Sequence, residues 1–152
     1  MNAITVDTPT GPFHLIEEDG ALVTAGWGRR GHGPKEETPL LAEARRQLLA
    51  YFERRLQRFD LPLRTGGTPL EEGVWREMRA IPFGETRTYG DLARKLGSNA
   101  RVVGTACGRN AIPIIIPCHR VIGSDGRMTG FSGGEGIETK RALLTLEGAL
   151  LL

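Results

Sequence analysis

The sequence predicts two units in tandem. The first, residues 1–66, is a small α/β domain in which an antiparallel sheet carries one helix; the second, 67–152, is mainly helical and holds a helix-turn-helix. Three observations carry this reading. Apolar residues alternate with polar ones through the first thirty positions, a Gly- and Pro-rich break runs from Leu61 to Pro69, and beyond it the apolar spacing turns helical.

The elements follow in order. Ile4 and Val6 alternate in "AITVDT", Phe13 and Leu15 in "GPFHLIEE", and "ALVTAGWG" follows the turn residues Asp19-Gly20, which makes three strands. "GRRGHGPKEETP" reads as loop. Leu41, Ala44, Leu48, Phe52 and Leu56 then recur at helical spacing, so a helix should run from Pro39 to about Leu56. After the linker "LPLRTGGTP", Leu70, Val74 and Met78 mark a helix that Pro82-Phe83-Gly84 ends.

"TYGD" at Thr88 to Asp91 matches a capping box and starts a helix with Leu92, Ala93 and Leu96 on one face. Gly97-Ser98-Asn99 breaks it, and Asn99 can cap the next helix, whose Val103, Ala106 and Cys107 form an inner stripe and which carries Arg101 and Arg109. Two short helices joined by a Gly-containing turn are a helix-turn-helix signature. Six glycines lie in the loop Gly123 to Gly136, and a last helix is marked by Ile137, Leu143, Leu144 and Leu146, with Glu147 at its end before Gly148.

Composition narrows the class. At 39% hydrophobic and 25% charged the chain suits a soluble globular protein, and it has neither a membrane-length apolar run nor a signal-peptide pattern at its start. Two cysteines eleven residues apart do not form a stapled secreted scaffold, which favours a reducing, cytoplasmic setting. The net charge of +2 is unevenly spread: Arg87 to Arg127 holds seven basic residues against two acidic ones, while the rest of the chain sums to −3. A local positive excess over a helix-turn-helix fits a nucleic-acid face, although a solvated basic surface gives the same count.

The chemistry concentrates in "NAIPIIIPCHRVIG", Asn110 to Gly123. Pro113 and Pro117 exclude a helix interior, so the segment should be extended or turning and should hold Cys118 in a rigid frame. His119 is an adjacent base, but neighbours on an extended segment point to opposite faces, so a water or a kink at Pro117 must connect them. From Cys and His alone, a structural thiol, a Cys/His hydrolase and a zinc site all stand. Cys107, Cys118 and His119 lack the paired short spacings of structural zinc, and His14 and His32 have no Cys nearby. A reactive Cys beside a DNA-reading helix pair suggests chemistry on an unstacked base.

"NAIPIIIPCHRVIG", preceded by "TYGDLARKLG" and "ARVVGTA" and followed by "GFSGG" and "LLTLEG", strongly resembles the O6-alkylguanine-DNA alkyltransferases, densely from Trp75 to Gly148 and thinly before that. The resemblance implies direct-reversal repair, without cofactor, by a protein that is monomeric in solution and has a winged-helix-like C-terminal domain. Cys118 would take the alkyl group from O6 of guanine, or more weakly from O4 of thymine, in double-stranded DNA. His119 would act as the water-mediated base, Glu147 would orient it, and Tyr89 would help rotate the nucleotide out and protonate the departing guanine.

In the same resemblance Arg101 fills the gap left in the stack. The second helix lies in the minor groove with little sequence preference, and its small residues Ala100, Gly104 and Thr105 allow close approach. Asn110 would brace the turn into the active-site strand. The carbonyls of Cys118 and Val121 would face the guanine amino group, and the Ser132 amide would face O6. Arg120 and the loop Met128 to Gly133, with Phe131 as an aromatic wall, would shape the pocket. Ala111 stands where the family usually has Pro, and Phe131 where many relatives have Tyr. The N-terminal third has no Cys, so no metal is expected. The competing classes are a lesion-sensing relative that transfers nothing, a helix-turn-helix regulator and a turnover hydrolase; the presence of Cys118 sets this chain apart from the first.

Overall fold

A computed structural model describes residues 1–30, 37–128, 131 and 133–150. The chain divides into two compact units, Met1–Thr65 and Gly66–Leu152.

In the first unit β1 (Asn2–Thr8), β2 (Gly11–Glu18) and β3 (Ala21–Trp27) form an antiparallel sheet in the order β1-β2-β3. Asp19 and Gly20 both take positive φ, 49° and 82°, which matches the twist of a two-residue hairpin. Phe13 pairs across the sheet with Val6 and Trp27 and is wholly buried. Helix α1 (Pro39–Phe52) starts at Thr38, whose hydroxyl accepts from the Leu41 amide at 3.1 Å, and buries Leu41, Ala44 and Leu48.

This helix stops four residues before Leu56, where apolar spacing alone would end it. Beyond Glu53 the chain reverses, with Arg54 at φ 61°, and Gln47 fixes the returning segment by bonding both the amide (2.9 Å) and the carbonyl (3.0 Å) of Asp60. Phe59 thereby reaches Tyr51, ring centroids 5.5 Å apart. The expected linker is also partly structured. Leu63 bridges to Leu22, with Leu22 N–H donating to Pro62 O and Arg64 N–H to Leu22 O, both at 2.9 Å, so the segment extends the sheet edge before the units part.

The second unit contains α2 (Pro69–Arg79), β4 (Arg87–Thr88), α3 (Tyr89–Leu96), α4 (Ala100–Gly108), β5 (Val121–Ile122) and α5 (Ile137–Leu146). The Thr88/Asp91 capping box forms, and Gly97 ends α3 at φ 65°, a left-handed cap that costs glycine little. Asn99 caps α4 by accepting from Val102 N–H at 3.0 Å. Helix α4 is anchored from below. The Trp75 indole donates to Ala106 O at 2.9 Å, Cys107 Sγ lies 3.6 Å from Met78 Sδ, and Arg109 reaches Glu71 at 3.1 Å.

Among the described residues no helix is long and apolar enough to cross a membrane, and no group of three or more His, Cys, Asp or Glu is placed to hold a metal ion.

Candidate active site

The segment before Cys118 is a buttressed turn. Ile112, Ile114, Ile115 and Ile116 are buried, and Ile114 has φ 71°, a conformation that costs a β-branched residue about 1–3 kcal/mol and persists only where its surroundings impose it. Asn110 is one such restraint. Its Nδ2 donates to Ile116 O at 2.8 Å and its Oδ1 accepts from Ile112 N–H at 2.9 Å, clamping both sides of the turn.

Cys118, His119 and Arg120 form a single 3-10 turn rather than extended backbone. Pro117 cannot continue a ladder and starts the turn, with Arg120 N–H donating to Pro117 O at 3.0 Å. The opposite-face geometry of a strand therefore does not apply. Cys118 remains partly exposed while His119 and Arg120 point into the interior.

His119 is fully buried, and its Nε2 lies 2.7 Å from Glu147 Oε2. Burial pushes its pKa below the ordinary histidine value, against the opposing pull of Glu147, so it is neutral near pH 7. A carboxylate only accepts, so the Nε2 nitrogen carries the proton and Nδ1 presents a lone pair. Nδ1 is buried and has no hydrogen-bond partner among the described residues. It is the basic atom of the site.

Glu147 ends α5 and also receives Arg120, Nε to Oε1 at 2.8 Å and Nη2 to Oε2 at 3.0 Å. Burial alone would raise its pKa, but hydrogen bonds and charge from His119 and Arg120 outweigh it and hold the carboxyl at about 2. Arg120 Nη1 donates to Ile81 O at 2.7 Å, and its guanidinium carbon lies 5.9 Å from the Phe83 ring centre. The guanidinium of Arg120, a residue expected to shape the pocket together with the loop Met128 to Gly133, lies against Glu147 and the Ile81 carbonyl.

Strands β4 and β5 pair in parallel, Arg87 with Val121 and Thr88 with Ile122. This short pairing brings Tyr89, the first residue of α3, beside the segment that follows Cys118. Lys140 of α5 joins them. It is 1% exposed, its Nζ donates to Val121 O at 2.6 Å, and it lies 5.9 Å from the Tyr89 ring centre. The expected apolar stripe of α5 is rotated accordingly. Ile137 is exposed, and the buried face is Thr139, Lys140, Leu143 and Leu144, continuing to Glu147.

The thiol of Cys118 is pushed up by burial and drawn down by the Asn110 amide and by the Lys140 charge. Cys107, buried under α4, is pushed up to about 12, mainly by burial, which leaves it an un-ionised, inert thiol.

Helix α4 turns Ala100, Arg101 and Thr105 outward, with Gly104 half-buried between them. Arg101 has no ion-pair partner among the described residues, whereas Arg94 on α3 is paired with Asp91 and Lys95 with Glu77. Met128, Phe131 and Gly133 are half-buried. Ser132, the loop positions 129 and 130, and His32 lie outside the described residues. Sequence reasoning missed Lys140, the Arg120–Glu147 bond and the β4–β5 pairing. Lys140, Leu143, Leu144 and Glu147 are spaced i, i+3, i+4 and i+7, so a lysine and a glutamate on one apolar helix face was the available signal.

Two family models match the chain: the 6-O-methylguanine DNA methyltransferase, ribonuclease-like domain over residues 1–65, and the 6-O-methylguanine DNA methyltransferase, DNA binding domain over 69–149. A methylated-DNA–protein-cysteine methyltransferase of Methanosarcina acetivorans is 47% identical, covering 94% of this chain and 96% of its own. One of Mycobacterium bovis is 43% identical, covering 94% and 90%. The crystal structure of Mycobacterium tuberculosis OGT in complex with DNA is 42% identical, with a TM-score of 0.82 over 97% of this chain and 92% of that one.

Proposed function

The chain belongs to the 6-O-methylguanine DNA methyltransferase family, and on that premise we propose that it repairs DNA by moving an alkyl group from O6 of guanine, or more weakly from O4 of thymine, onto Cys118. The observation that carries the reading is the buried His119–Glu147 pair, which leaves Nδ1 as a base beside a partly exposed thiol.

The chemistry follows from that geometry. The Cys118 proton passes through a water to His119 Nδ1, and the Glu147 carboxylate stabilises the imidazolium that forms. The thiolate attacks the alkyl carbon in line; the S–C bond forms as the C–O6 bond breaks. Guanine is a poor anion to expel, so the Tyr89 hydroxyl gives a proton at N3 and regains one from solvent. Asn110 braces the turn, while the carbonyls of Cys118 and Val121 and the loop around Met128, Phe131, Ser132 and Gly133 receive the base.

To bring the base there, α4 enters the minor groove, where Ala100, Gly104 and Thr105 allow close contact and Arg101 replaces the flipped nucleotide in the stack. Binding then depends little on sequence. A thioether on Cys118 has no good leaving group, so each molecule, acting as a monomer in the cytoplasm, reacts once and needs no cofactor.

The test is a duplex with one O6-methylguanine offered in excess. One lesion restored to guanine per protein, followed by no further repair, is the expected result. Continuous turnover contradicts single use. A duplex that is bound but never restored identifies a lesion-sensing protein instead.

A further inference from the structure

The last helix ties down the loop that precedes it. Thr139 lies on the buried face of α5 at 5% exposure, and its hydroxyl accepts from the Glu135 amide at 2.8 Å. Glu135 belongs to the tight turn Gly133–Gly136, closed by Gly136 N–H donating to Gly133 O at 2.9 Å. Gly134 sits directly on the threonine: its φ is 56°, and a methyl group there would come within 2.6 Å of Thr139 Oγ1. Gly136 has φ 66°, and a side chain there would approach Phe131 O to 3.5 Å. The turn is therefore seated by two glycines that bring its backbone against its neighbours.

A side chain that reaches back to an amide at the start of its own helix is a common cap. Here its place adds a second consequence. Thr139 and Glu147 are eight residues apart on one helix, about 12 Å along its axis, and Glu147 bonds His119, the neighbour of Cys118. One element thus holds the base at one end and the close of the pocket loop at the other. We propose that Thr139 is a positioning residue: by pinning the Gly133–Gly136 turn to α5 it fixes how close the pocket wall stands to Cys118, and so limits the size of the group that the sulfur takes up. This rests on the reading of Cys118 as the acceptor and of the loop before α5 as the pocket wall.

The experiment uses the full chain without DNA and compares two reagents at Cys118, iodoacetamide and its bulkier N-benzyl derivative, by peptide mass. In both reactions the thiol proton goes to buffer, the sulfur forms an S–C bond, the C–I bond breaks and iodide leaves. Thr139→Val keeps the shape and removes the acceptor. It should speed the bulky reagent about tenfold relative to iodoacetamide, the equivalent of one lost hydrogen bond, while iodoacetamide itself changes by less than about twofold. Thr139→Ser should keep the wild-type ratio. An unchanged or lowered ratio in Thr139→Val overturns the proposal, and so does an equal shift in Thr139→Ser. A parallel change with both reagents also overturns it, because loosening of the fold as a whole does that.

Should Thr139→Val fail to fold, Gly134→Ala tests the other side of the same contact, since its methyl group drives the exposed turn off Thr139. It should raise the ratio likewise, and a wild-type ratio in that variant overturns the proposal. Neither reagent requires DNA or a lesion. A chain that shows the size shift but restores no duplex refutes the repair reading alone, and one that restores duplexes without the shift refutes this one alone.

Discussion

His119 Nε2 lies 2.7 Å from Glu147 Oε2, with both side chains withdrawn completely from solvent. Arg120 closes on the same carboxylate at 2.8 and 3.0 Å, so one acid both orients the base and neutralises a buried cation.

Glu147→Gln should therefore do two kinds of harm. Alkyl transfer loses the carboxylate that stabilises the imidazolium, and the single-turnover rate should fall by about 10²–10⁴. Stability should fall by about 3–5 kcal/mol, because Arg120 is left buried without its partner. Rapid-quench repair of an O6-methylguanine duplex and urea unfolding measure the two separately; an unaffected rate in a destabilised protein contradicts the orienting role.

The same pair sets the response to acid. The Glu147 carboxyl is held at about 2 in the fold, below its unfolded value, so its contribution is present above about pH 4.5 and is lost as pH falls toward 2. His119 is also depressed, so the unfolded chain takes up its proton first and stability begins to fall below about pH 6.5. The unfolding free energy should thus decline in two stages on acidification. In His119→Gln the upper stage should vanish, and an unchanged profile in urea titrations contradicts the assignment.

Arg101 stands on the open face of α4 without an ion-pair partner among the described residues. Arg101→Ala should change stability by no more than about 0.5 kcal/mol, while weakening duplex binding and slowing repair. Fluorescence anisotropy at several salt concentrations should also show a salt slope lower by about one. A variant that unfolds early would place Arg101 in the packing instead.

Asn110→Ala removes the clamp on the Ile112–Ile116 turn and leaves the buried Ile112 amide unmatched, which should cost about 1–3 kcal/mol, while the Ile116 carbonyl keeps its bond from the Cys118 amide. Because that turn delivers Cys118, iodoacetamide labelling should slow in the same variant. Unfolding midpoints and labelling rates should move together, and full labelling speed in a destabilised variant separates the turn from the nucleophile.

What was legible in the sequence was what is decided locally. Thr88 and Asp91 are three residues apart and cap one another wherever a helix starts, and Asp19-Gly20 sets its hairpin with two backbone angles. Cys118 and His119 stood out in the sequence as a thiol and an adjacent base, whereas the partnership of His119 with Glu147 spans 28 residues and was legible only through the resemblance of the flanking segments. Long-range partners left weaker traces. The α1 end was misplaced because Gln47 binds Asp60 across a chain reversal that apolar spacing cannot register. Lys140 was passed over because the eye takes leucines for the stripe, although Lys140 and Glu147 share the face of Leu143 and Leu144.

Alkyl transfer to Cys118 is read from the mass of the Cys118 peptide after incubation with a duplex carrying one O6-methylguanine, beside Cys118→Ala. One methyl group is expected on Cys118, saturating at one per protein, with none on Cys107 and none in the variant. A methyl group found elsewhere, or a repaired duplex with Cys118 unmodified, would contradict it.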